Sequence, residues 1–488
     1  MLFYKKADFM EKPKKQYHAL AAMLVIVAFV SYLSYSHFEK AVAWDSAEYL
    51  SIAKSLYYYK SYQLNFEPEG FRLPFYPFLV AGAYYLFGPT QEAAQLVNPL
   101  IGAITLLVFY FLTSKLFKLR IALISTALLA FYYLYWLYTD RAMSDAPFVL
   151  LTIVFIFGSM IGIEKNEKKF LYASGIALGL AFLTRFTAVF LPVLFLIYLI
   201  LRQRLGWIKN LHIWSMGVFA FLTMLPWIIY QLSLGGMPFG GFLTSAELTA
   251  GAAWGIAPWY SFFIWLFWHS GVGYIFMYGI LFAIGLLFIF LKKYYKLAYI
   301  LIWLIPLLYF SINPHKEPRY PLFIVPIIML IAGYGLNELS EQIEKLLQIK
   351  RIRILVCLSL LGFATYQGGS SAITIFQYSG GWEQLKNAGE WLKANTPSDT
   401  VLMSSSIPQL HLYSERRVEQ IPPKEKLENE LRKKGVDYLV LTPERSTPLY
   451  VYQHAFERGD LFIPFRFFVD NPQEPRDFAL IFKVNLGG

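Results

Sequence analysis

The chemistry that this chain could perform is concentrated in five short polar segments between long apolar runs. The first is Asp45-Ser-Ala-Glu48-Tyr49. A carboxylate here could act as a general base that takes a proton from an acceptor hydroxyl or amine. The alternative is structural, because Asp45 followed three residues later by Glu48 is also a capping-box-like start for a helix over 46–58.

Two cationic segments could bind an anion. Arg72 precedes the rigid turn Leu-Pro-Phe-Tyr-Pro, and its guanidinium could hold a phosphate. The segment His315-Lys316-Glu-Pro-Arg319-Tyr320 has three potentially cationic side chains within five residues. The alternatives are an interfacial Arg72 whose charge reaches up to the headgroups, and a plain solvated loop at 315–320.

Two further segments carry charge at the ends of apolar runs. In residues 138–145 (YTDRAMSD), Asp140 and Asp145 are both candidates for a site, although Asp145 could instead cap the next helix. In residues 183–187 (LTRFT), Arg185 lies at a tight turn. An arginine at membrane depth is usually functional, with interfacial anchoring as the alternative.

The elements that must position these residues are membrane helices. The composition is 57% hydrophobic and 15% charged, whereas soluble chains carry roughly 25% charged residues. Runs such as Ala19–Tyr35, Ile121–Tyr138 and Tyr274–Leu291 are long enough to cross a bilayer as helices. The net charge of +11 comes from short Lys and Arg clusters between such runs, which is typical of cytoplasmic loops and argues against a nucleic-acid partner.

Hydropathy and the charge rule together predict eleven spans with an inside start. Segment 73–87 is apolar but short and proline-containing, so we interpret it as re-entrant or interfacial within a first outer loop over 38–91. The basic N-terminus predicts a cytoplasmic start and a retained first helix. The predicted spans lie near 17–37, 92–114, 120–138, 146–163, 169–184, 187–201, 211–231, 270–291, 297–312, 320–338 and 354–376.

The composition changes after Gly380, so we predict a transmembrane domain over 1–378 and a soluble domain over 379–488. Segment 382–396 has the spacing of an amphipathic helix, and Pro422–Lys434 reads as a charged helix ended by Gly435. Three segments have strand patterns, and the alternation predicts a small α/β domain, which an odd number of spans places outside the membrane. The predicted strands are Thr400–Met403, Val436–Leu441 and Phe478–Val484.

The chain has no Walker-type glycine loop, no dinucleotide fingerprint, no HExxH and no clustered Cys/His site. Under the predicted topology the polar segments share the outer face, where nucleotides are scarce. A transferase there needs an activated donor that arrives in the membrane. A lipid-linked phosphosugar fits, because its tail partitions into the bilayer while its phosphate meets Arg or Lys.

Taken in order, these motifs resemble the GT-C glycosyltransferases, especially the dolichyl-phosphate-mannose–protein mannosyltransferase and aminoarabinose transferase group. The resemblance covers roughly 40–340. It rests on Asp45…Tyr49…Ala53, Arg72-Leu-Pro-Phe-Tyr-Pro with Leu86-Phe-Gly88, Asp145-Ala-Pro, the run from Gly175 to Arg185, Pro226-Trp227, and Arg319-Tyr320 before Pro326.

The resemblance implies that Asp45 is the catalytic base and that Arg72 contacts the donor phosphate. It implies a second acidic residue at Asp145, with Asp140 as the alternative. The relatives often have adjacent Asp-Glu in the first loop, whereas Glu48 lies three residues after Asp45, so the role of Glu48 stays open.

The late basic-Tyr motif of the family corresponds to Arg319 and Tyr320, joined by His315 or Lys316, and Arg185 is a further candidate for the donor phosphate. The reaction implied is direct displacement of the lipid phosphate with inversion. Whether a divalent metal (Mg²⁺ or Mn²⁺) assists stays open, with Asp45 and Asp145 as its ligands if one binds.

The expected partners are a polyprenyl-phosphate sugar, an extracytoplasmic acceptor (protein, glycan or lipid) and the bilayer. Three other classes remain as alternatives. An oligosaccharyltransferase subunit should carry a Trp-Trp-Asp-type motif, which Trp382-Glu-Gln does not match. A transporter should show paired broken helices and charges at mid-membrane. The third alternative is a non-catalytic membrane scaffold.

Overall fold

The structure is a computed structural model that describes residues 15–34, 41–237, 240–241, 243–244, 255–349, 351–378, 382–443, 447–469 and 477–486. The predicted cytoplasmic cluster at Lys5, Lys6, Lys12 and Lys14 lies outside these residues, as does the end of the first predicted span.

The part of the chain up to residue 378 is helical. Its helices are α1 (Lys15–Ser34), α2 (Trp44–Tyr59), α3 (Phe75–Phe87), α4 (Gln91–Leu116), α5 (Leu119–Ala130), α6 (Tyr133–Asp140), α7 (Asp145–Lys165), α8 (Lys168–Phe182), α9 (Phe190–Gln203), α10 (Leu211–Ser233), α11 (Ser261–Phe267), α12 (Phe276–Leu291), α13 (Tyr295–Ile300), α14 (Ile305–Ile312), α15 (Val325–Leu347) and α16 (Ile352–Tyr378). A two-stranded hairpin, β1 (Gln63–Leu64) and β2 (Glu67–Pro68), follows α2.

The protein is a multi-pass membrane protein. Among the described residues, seven helices are long and apolar enough to cross a bilayer, and the number is eight if α5 and α6, which are bent by 60° to each other, count as one span. The other three predicted spans fall on shorter apolar helices, namely α8, α12 and the stretch Lys296–Ile312. Helix α3 has 13 residues, which is too short to span a bilayer and agrees with the re-entrant or interfacial interpretation of 73–87.

Helix α15 lies at the centre of the membrane domain, and 94% of its most apolar stretch is buried. It packs closely against α12 because both helices have glycine at the crossing point. A Cβ atom on Gly285 would lie 2.1 Å from the Ile331 carbonyl oxygen, and one on Gly335 would lie 2.5 Å from the Gly285 nitrogen. This contact between small residues fixes α15 in place. Residues 315–320 lie in the segment that leads into this helix.

The remainder of the chain forms a five-stranded mixed sheet in the order β4-β3-β5-β7-β6, with helices packed against it. Strand β3 is parallel to β4 and β5, and β7 is antiparallel to β5 and β6. The elements are α17 (Glu383–Asn395), β3 (Val401–Ser404), α18 (Ile407–Ser414), β4 (Arg417–Gln420), α19 (Leu427–Lys434), β5 (Tyr438–Leu441), α20 (Leu449–Glu457), β6 (Phe462–Val469) and β7 (Phe478–Val484).

The three predicted strands coincide with β3, β5 and β7, and the two predicted helices coincide with α17 and α19. Gly435 ends α19 in the left-handed conformation, as expected. The sequence analysis did not predict β4, β6, α18 or α20.

Candidate functional site

The site is built around Asp45, which lies in the first turn of α2. One carboxylate oxygen accepts a hydrogen bond from Arg72 Nη2 at 2.9 Å, and the other forms an ion pair with Arg319 Nη1 at 2.8 Å. The capping alternative for Asp45 is wrong, because Ala43 is the N-cap residue and no side chain caps α2. The carboxylate is held instead by two guanidinium groups that approach from different parts of the chain.

Arg72 is positioned by the loop that follows the β1–β2 hairpin. Its backbone N–H donates to Glu69 at 2.8 Å, and its carbonyl accepts from the Tyr62 hydroxyl at 2.7 Å. Its guanidinium lies 5.5 Å from the centre of the Tyr49 ring and also pairs with Glu48. Glu48 is not among the residues that line the cavity described below, although the same Arg72 nitrogen contacts both Asp45 and Glu48.

Arg319 is held by Glu317 as well as by Asp45. Its Nε lies 2.6 Å from a Glu317 oxygen, and Glu317 also faces His315 Nε2 at 3.5 Å. His315 is buried against Gly255, which has φ +68 and where a Cβ would lie 2.6 Å from the imidazole ring. The Lys316 ammonium donates to the Asn313 carbonyl.

Asp145 and Arg185 form a second ion pair in which Arg185 Nη1 lies 2.6 Å from Asp145 Oδ1. Asp145 is 3% exposed, and its other oxygen has no hydrogen-bond partner among the residues that the structure describes. The capping alternative for Asp145 is also wrong, because Ser144 is the N-cap residue and no side-chain cap is formed. Asp140 is buried at the end of α6.

These residues surround a cavity of about 380 Å³. Arg72, Arg185 and Arg319 line it together with Asp45, so three guanidiniums face the cavity beside one carboxylate. Much of the remaining lining is aromatic or apolar, and the rings of Phe190, Tyr309 and Phe310 pack together as an aromatic wall. The remaining lining residues are Tyr49, Phe71, Leu73, Ser144, Thr184, Phe186, Thr187, Val189, Phe190, Tyr309, Phe310, Asn313 and Tyr320.

The arginines and burial set the charge states at the site. Although burial acts to raise it, Arg319 and Arg72 hold the pKa of Asp45 below its usual range. Burial raises the pKa of Glu48 to about 7, in spite of the opposing effect of Arg72 and with the help of Asp45 and Glu69. Asp45 is therefore ionised at neutral pH, whereas Glu48 titrates there.

The donor atoms do not form a good divalent-metal site. Mg²⁺ prefers an octahedron of oxygens, usually with one or two carboxylates that are free to bind. Here both oxygens of Asp45 contact arginines, and Asp145 contacts Arg185. Within the described ranges there is no cluster of three or more His, Cys, Asp or Glu that could hold a metal ion. The reaction scheme below therefore uses no metal.

The chain matches known proteins at two levels. Residues 67–230 match the family model of dolichyl-phosphate-mannose-protein mannosyltransferase. None of the curated protein sequences matches. Among solved structures, ArnT from Cupriavidus metallidurans, bound to undecaprenyl phosphate, superposes with a TM-score of 0.72 at 14% identity, covering 96% of this chain and 99% of that one.

Two longer proteins are also similar. The archaeal oligosaccharyltransferase AglB from Archaeoglobus fulgidus has a TM-score of 0.60 at 13% identity, over 96% of this chain and 74% of that one. The arabinofuranosyltransferase AftD from Mycobacteria has a TM-score of 0.56 at 13% identity, over 96% and 40%. The protein has the GT-C glycosyltransferase fold. The resemblance predicted from the sequence is confirmed at this level.

Within this GT-C fold, the ten residues predicted for the site fall into two groups. Five line the cavity, namely Asp45, Arg72, Arg185, Arg319 and Tyr320. The other five are not lining residues, namely Glu48, Asp140, Asp145, His315 and Lys316, and two of them hold a cavity arginine: Glu48 contacts Arg72, and Asp145 contacts Arg185.

The sequence analysis missed Glu317 and the aromatic wall of the GT-C cavity. Glu317 stood inside a segment already singled out, and its position two residues before Arg319 could have suggested an ion pair. Tyr309 and Phe310 carried no distinguishing signal, because aromatic residues at the end of a membrane helix are common in interfacial belts.

Proposed function

We propose that the protein transfers a sugar from a polyprenyl-phosphate carrier to an acceptor on the extracytoplasmic face of the membrane. The observation that carries this proposal is the cavity in which Asp45 meets Arg72, Arg185 and Arg319 beside an aromatic wall. A lipid phosphate needs both parts, cations for its headgroup and an apolar surface for its first isoprene units. The match to the mannosyltransferase family model over 67–230 supports the same substrate class.

The aromatic wall supports a donor that enters from the bilayer. Phe190 begins α9 and packs against Tyr309 and Phe310 at the end of α14, with ring centres 5.1 and 5.7 Å apart. Tyr309 is 53% exposed, so this side of the cavity reaches the lipid-facing surface. The structure of ArnT with undecaprenyl phosphate supports a carrier of this kind for a protein of the same fold.

The reaction is a single displacement at the anomeric carbon. Asp45 takes the proton of the acceptor hydroxyl or amine, the acceptor atom bonds to the anomeric carbon, and the bond from that carbon to the phosphate oxygen breaks. Negative charge accumulates on the departing polyprenyl phosphate. Arg72, Arg185 and Arg319 stabilise that charge, because their guanidiniums are already held in place by carboxylates.

Donor binding would also prepare the base. Before the donor binds, Arg72 and Arg319 contact Asp45 and make it a weak base. A phosphate that takes hydrogen bonds from the same guanidiniums competes with the carboxylate for them. Asp45 then becomes a stronger base only when a donor is present. Proton abstraction from the acceptor is therefore limited while the donor site is empty.

The orientation in the membrane is part of the proposal. The N-terminus lies in the cytoplasm, and the sheet domain after residue 381 lies outside, on the side of the cavity. The distribution of Lys and Arg among the loops supports this arrangement, as does the contact between the sheet domain and α2, which carries Asp45.

The donor class is tested by incubating membranes that contain the protein with radiolabelled polyprenyl-phosphate sugars and, separately, with nucleotide sugars. We expect label to reach an acceptor from a polyprenyl-phosphate sugar alone. In parallel, polyprenyl phosphate should raise the melting temperature of the purified protein, whereas polyprenol should not. Arg319→Gln should abolish that shift and Arg141→Gln, outside the cavity, should keep it. Transfer from nucleotide sugars alone would contradict the proposal.

A further inference from the structure

Helix α2 lies between the cavity and the sheet domain. Asp45 and Tyr49 face the cavity. Leu50 and Lys54 lie roughly on the opposite side of the helix, since nine residues from Asp45 to Lys54 correspond to about two and a half turns. On that side Leu50 shares a buried apolar cluster with Leu412 and Tyr413 of the sheet domain. The sheet domain therefore contacts the back of the helix whose front carries Asp45.

The N-terminal end of α2 is fixed by a tyrosine of the sheet domain. The Tyr413 hydroxyl accepts a hydrogen bond from the Val42 N–H at 2.9 Å and donates one to the Gln91 side chain at 2.9 Å. Tyr413 is 8% exposed. Glu383 of the same domain accepts from the Ala41 N–H at 2.6 Å. Because the N-cap residue Ala43 has no side chain that could cap the helix, these two bonds help to hold the backbone just before Asp45.

The C-terminal half of α2 and the hairpin that follows it are fixed in the same way. Lys54 donates to the Leu412 carbonyl at 3.2 Å and pairs with Glu415 at 2.9 Å. At the tip of the β1–β2 hairpin, the Asn65 amide donates to the Val418 carbonyl at 2.8 Å and accepts from the Val418 N–H at 2.9 Å. Val418 belongs to the edge strand β4, so the hairpin pairs with one residue of that edge.

We propose that the sheet domain is a clamp for α2, and that Tyr413 is a positioning residue through which this domain sets the place of Asp45. Among the described residues that line the cavity, none comes from the sheet domain. Its contacts with the cavity region are made through α2 and the β1–β2 hairpin, and α2 is the element that carries Asp45. The inference rests on the proposed function for the role of Asp45, but the clamp itself can be measured without any donor.

The first test is hydrogen exchange of the backbone amides from Val42 to Glu48. Tyr413→Phe keeps the ring in its apolar cluster and removes the hydroxyl, so exchange of these amides should rise severalfold. The matched control is Tyr450→Phe, which removes a hydroxyl that donates to the Pro422 carbonyl inside the sheet domain. The control should leave exchange in α2 unchanged. Unchanged exchange in Tyr413→Phe would overturn the clamp, whether or not the protein transfers sugar.

The second test separates positioning from general stability. We expect Tyr413→Phe to lower kcat by about tenfold, because small displacements of a reacting group are costly, with the donor KM within about twofold of wild type. In an Asp45→Asn background, Tyr413→Phe should lower kcat by less than about twofold, because the carboxylate that Tyr413 positions is already absent. A Tyr413→Phe enzyme with wild-type kcat, or an equal loss in both backgrounds, would overturn the role of Tyr413.

Lys54→Met provides a second, independent variant at the other end of α2. It should lower kcat in the same way while leaving the Val42 N–H bond to Tyr413 intact. If Lys54→Met and Tyr413→Phe both have the wild-type kcat, the clamp has no catalytic role, even though the wild-type enzyme transfers sugar and the proposed function stands.

Discussion

At the scale of single residues, the charged groups of the cavity neutralise one another until a substrate arrives. Asp45 contacts Arg72 and Arg319, and Asp145 contacts Arg185. Under the proposed function, an incoming phosphate exchanges one set of ion pairs for another. Since a charge-assisted hydrogen bond contributes about 1.5–3 kcal/mol, modest changes in these carboxylates should alter donor affinity.

Glu48 should make donor binding depend on pH near neutrality. Burial raises its pKa to about 7. Below that pH Glu48 is neutral, so the positive charge of Arg72 is less neutralised and can bind the donor phosphate. Above that pH the ionised Glu48 carboxylate competes with the donor phosphate for Arg72. The donor KM should therefore increase from pH 6 to pH 8, by up to about tenfold, which is the limit for one group with a pKa of about 7 in the free protein when bound donor raises that pKa above the range.

The measurement is the donor KM at both pH values in wild type and in Glu48→Gln, which cannot ionise. The variant should keep one low KM across the range. Glu92→Gln, an exposed carboxylate at the start of α4, is the control and should follow wild type. A KM in Glu48→Gln that rises with pH as in wild type would show that another group titrates.

The pairing of Asp45 with Arg319 could not be derived from spacing, because 274 positions separate the two residues in the chain. Their types and their common side of the membrane were visible in the sequence, and the resemblance to GT-C enzymes assigned them to one site. The roles of the carboxylates that contact the arginines were harder to assign. Asp45 and Asp145 both begin helices, so a capping role was equally consistent with their positions.

At the scale of elements, the prediction succeeded where one physical effect dominates. Long apolar runs indicated the membrane helices because a bilayer imposes both length and composition. Strand β4, Arg417–Gln420, was missed because its sequence RVEQ is polar, and its outer edge is covered by Asn65 of the hairpin. Strand β6 was missed because Pro464 and Arg466 interrupt its apolar pattern at a bulge.

The crossing of α12 and α15 gives a stability prediction for these elements. Gly285→Ala should lower the melting temperature of the purified protein, corresponding to about 1–3 kcal/mol, because the new Cβ would meet the Ile331 carbonyl oxygen. Gly362→Ala on α16 is the matched control, since a Cβ there meets nothing within 4 Å. It should leave stability unchanged or raise it slightly. Equal effects of the two changes would argue against the close crossing.

At the scale of the whole molecule, the membrane domain and the sheet domain have different roles. The described residues that line the cavity come from the membrane domain, including its first outer loop. The sheet domain contacts that loop and holds it in place. This division requires the sheet domain and the cavity to be on the same side of the membrane.

The orientation can be measured by cysteine labelling in intact cells. In a Cys357→Ser background, a cysteine in place of Glu428 of the sheet domain should react with a membrane-impermeant maleimide. A cysteine in place of Lys345 should react after the membrane is opened, because its loop is predicted to be cytoplasmic. Both side chains are well exposed, at 44% and 62%. The reverse pattern would contradict the proposed orientation.

The central claim is that Asp45 acts as the base in transfer from a polyprenyl-phosphate sugar. The most direct test measures sugar transfer from the donor identified above by wild type, Asp45→Asn and the control Glu92→Gln, all at equal levels of folded protein. Our account predicts that Asp45→Asn lowers kcat by about 10²–10⁴-fold, while Glu92→Gln transfers sugar at the wild-type rate. Transfer by Asp45→Asn at the wild-type rate would remove Asp45 from the mechanism and contradict the account.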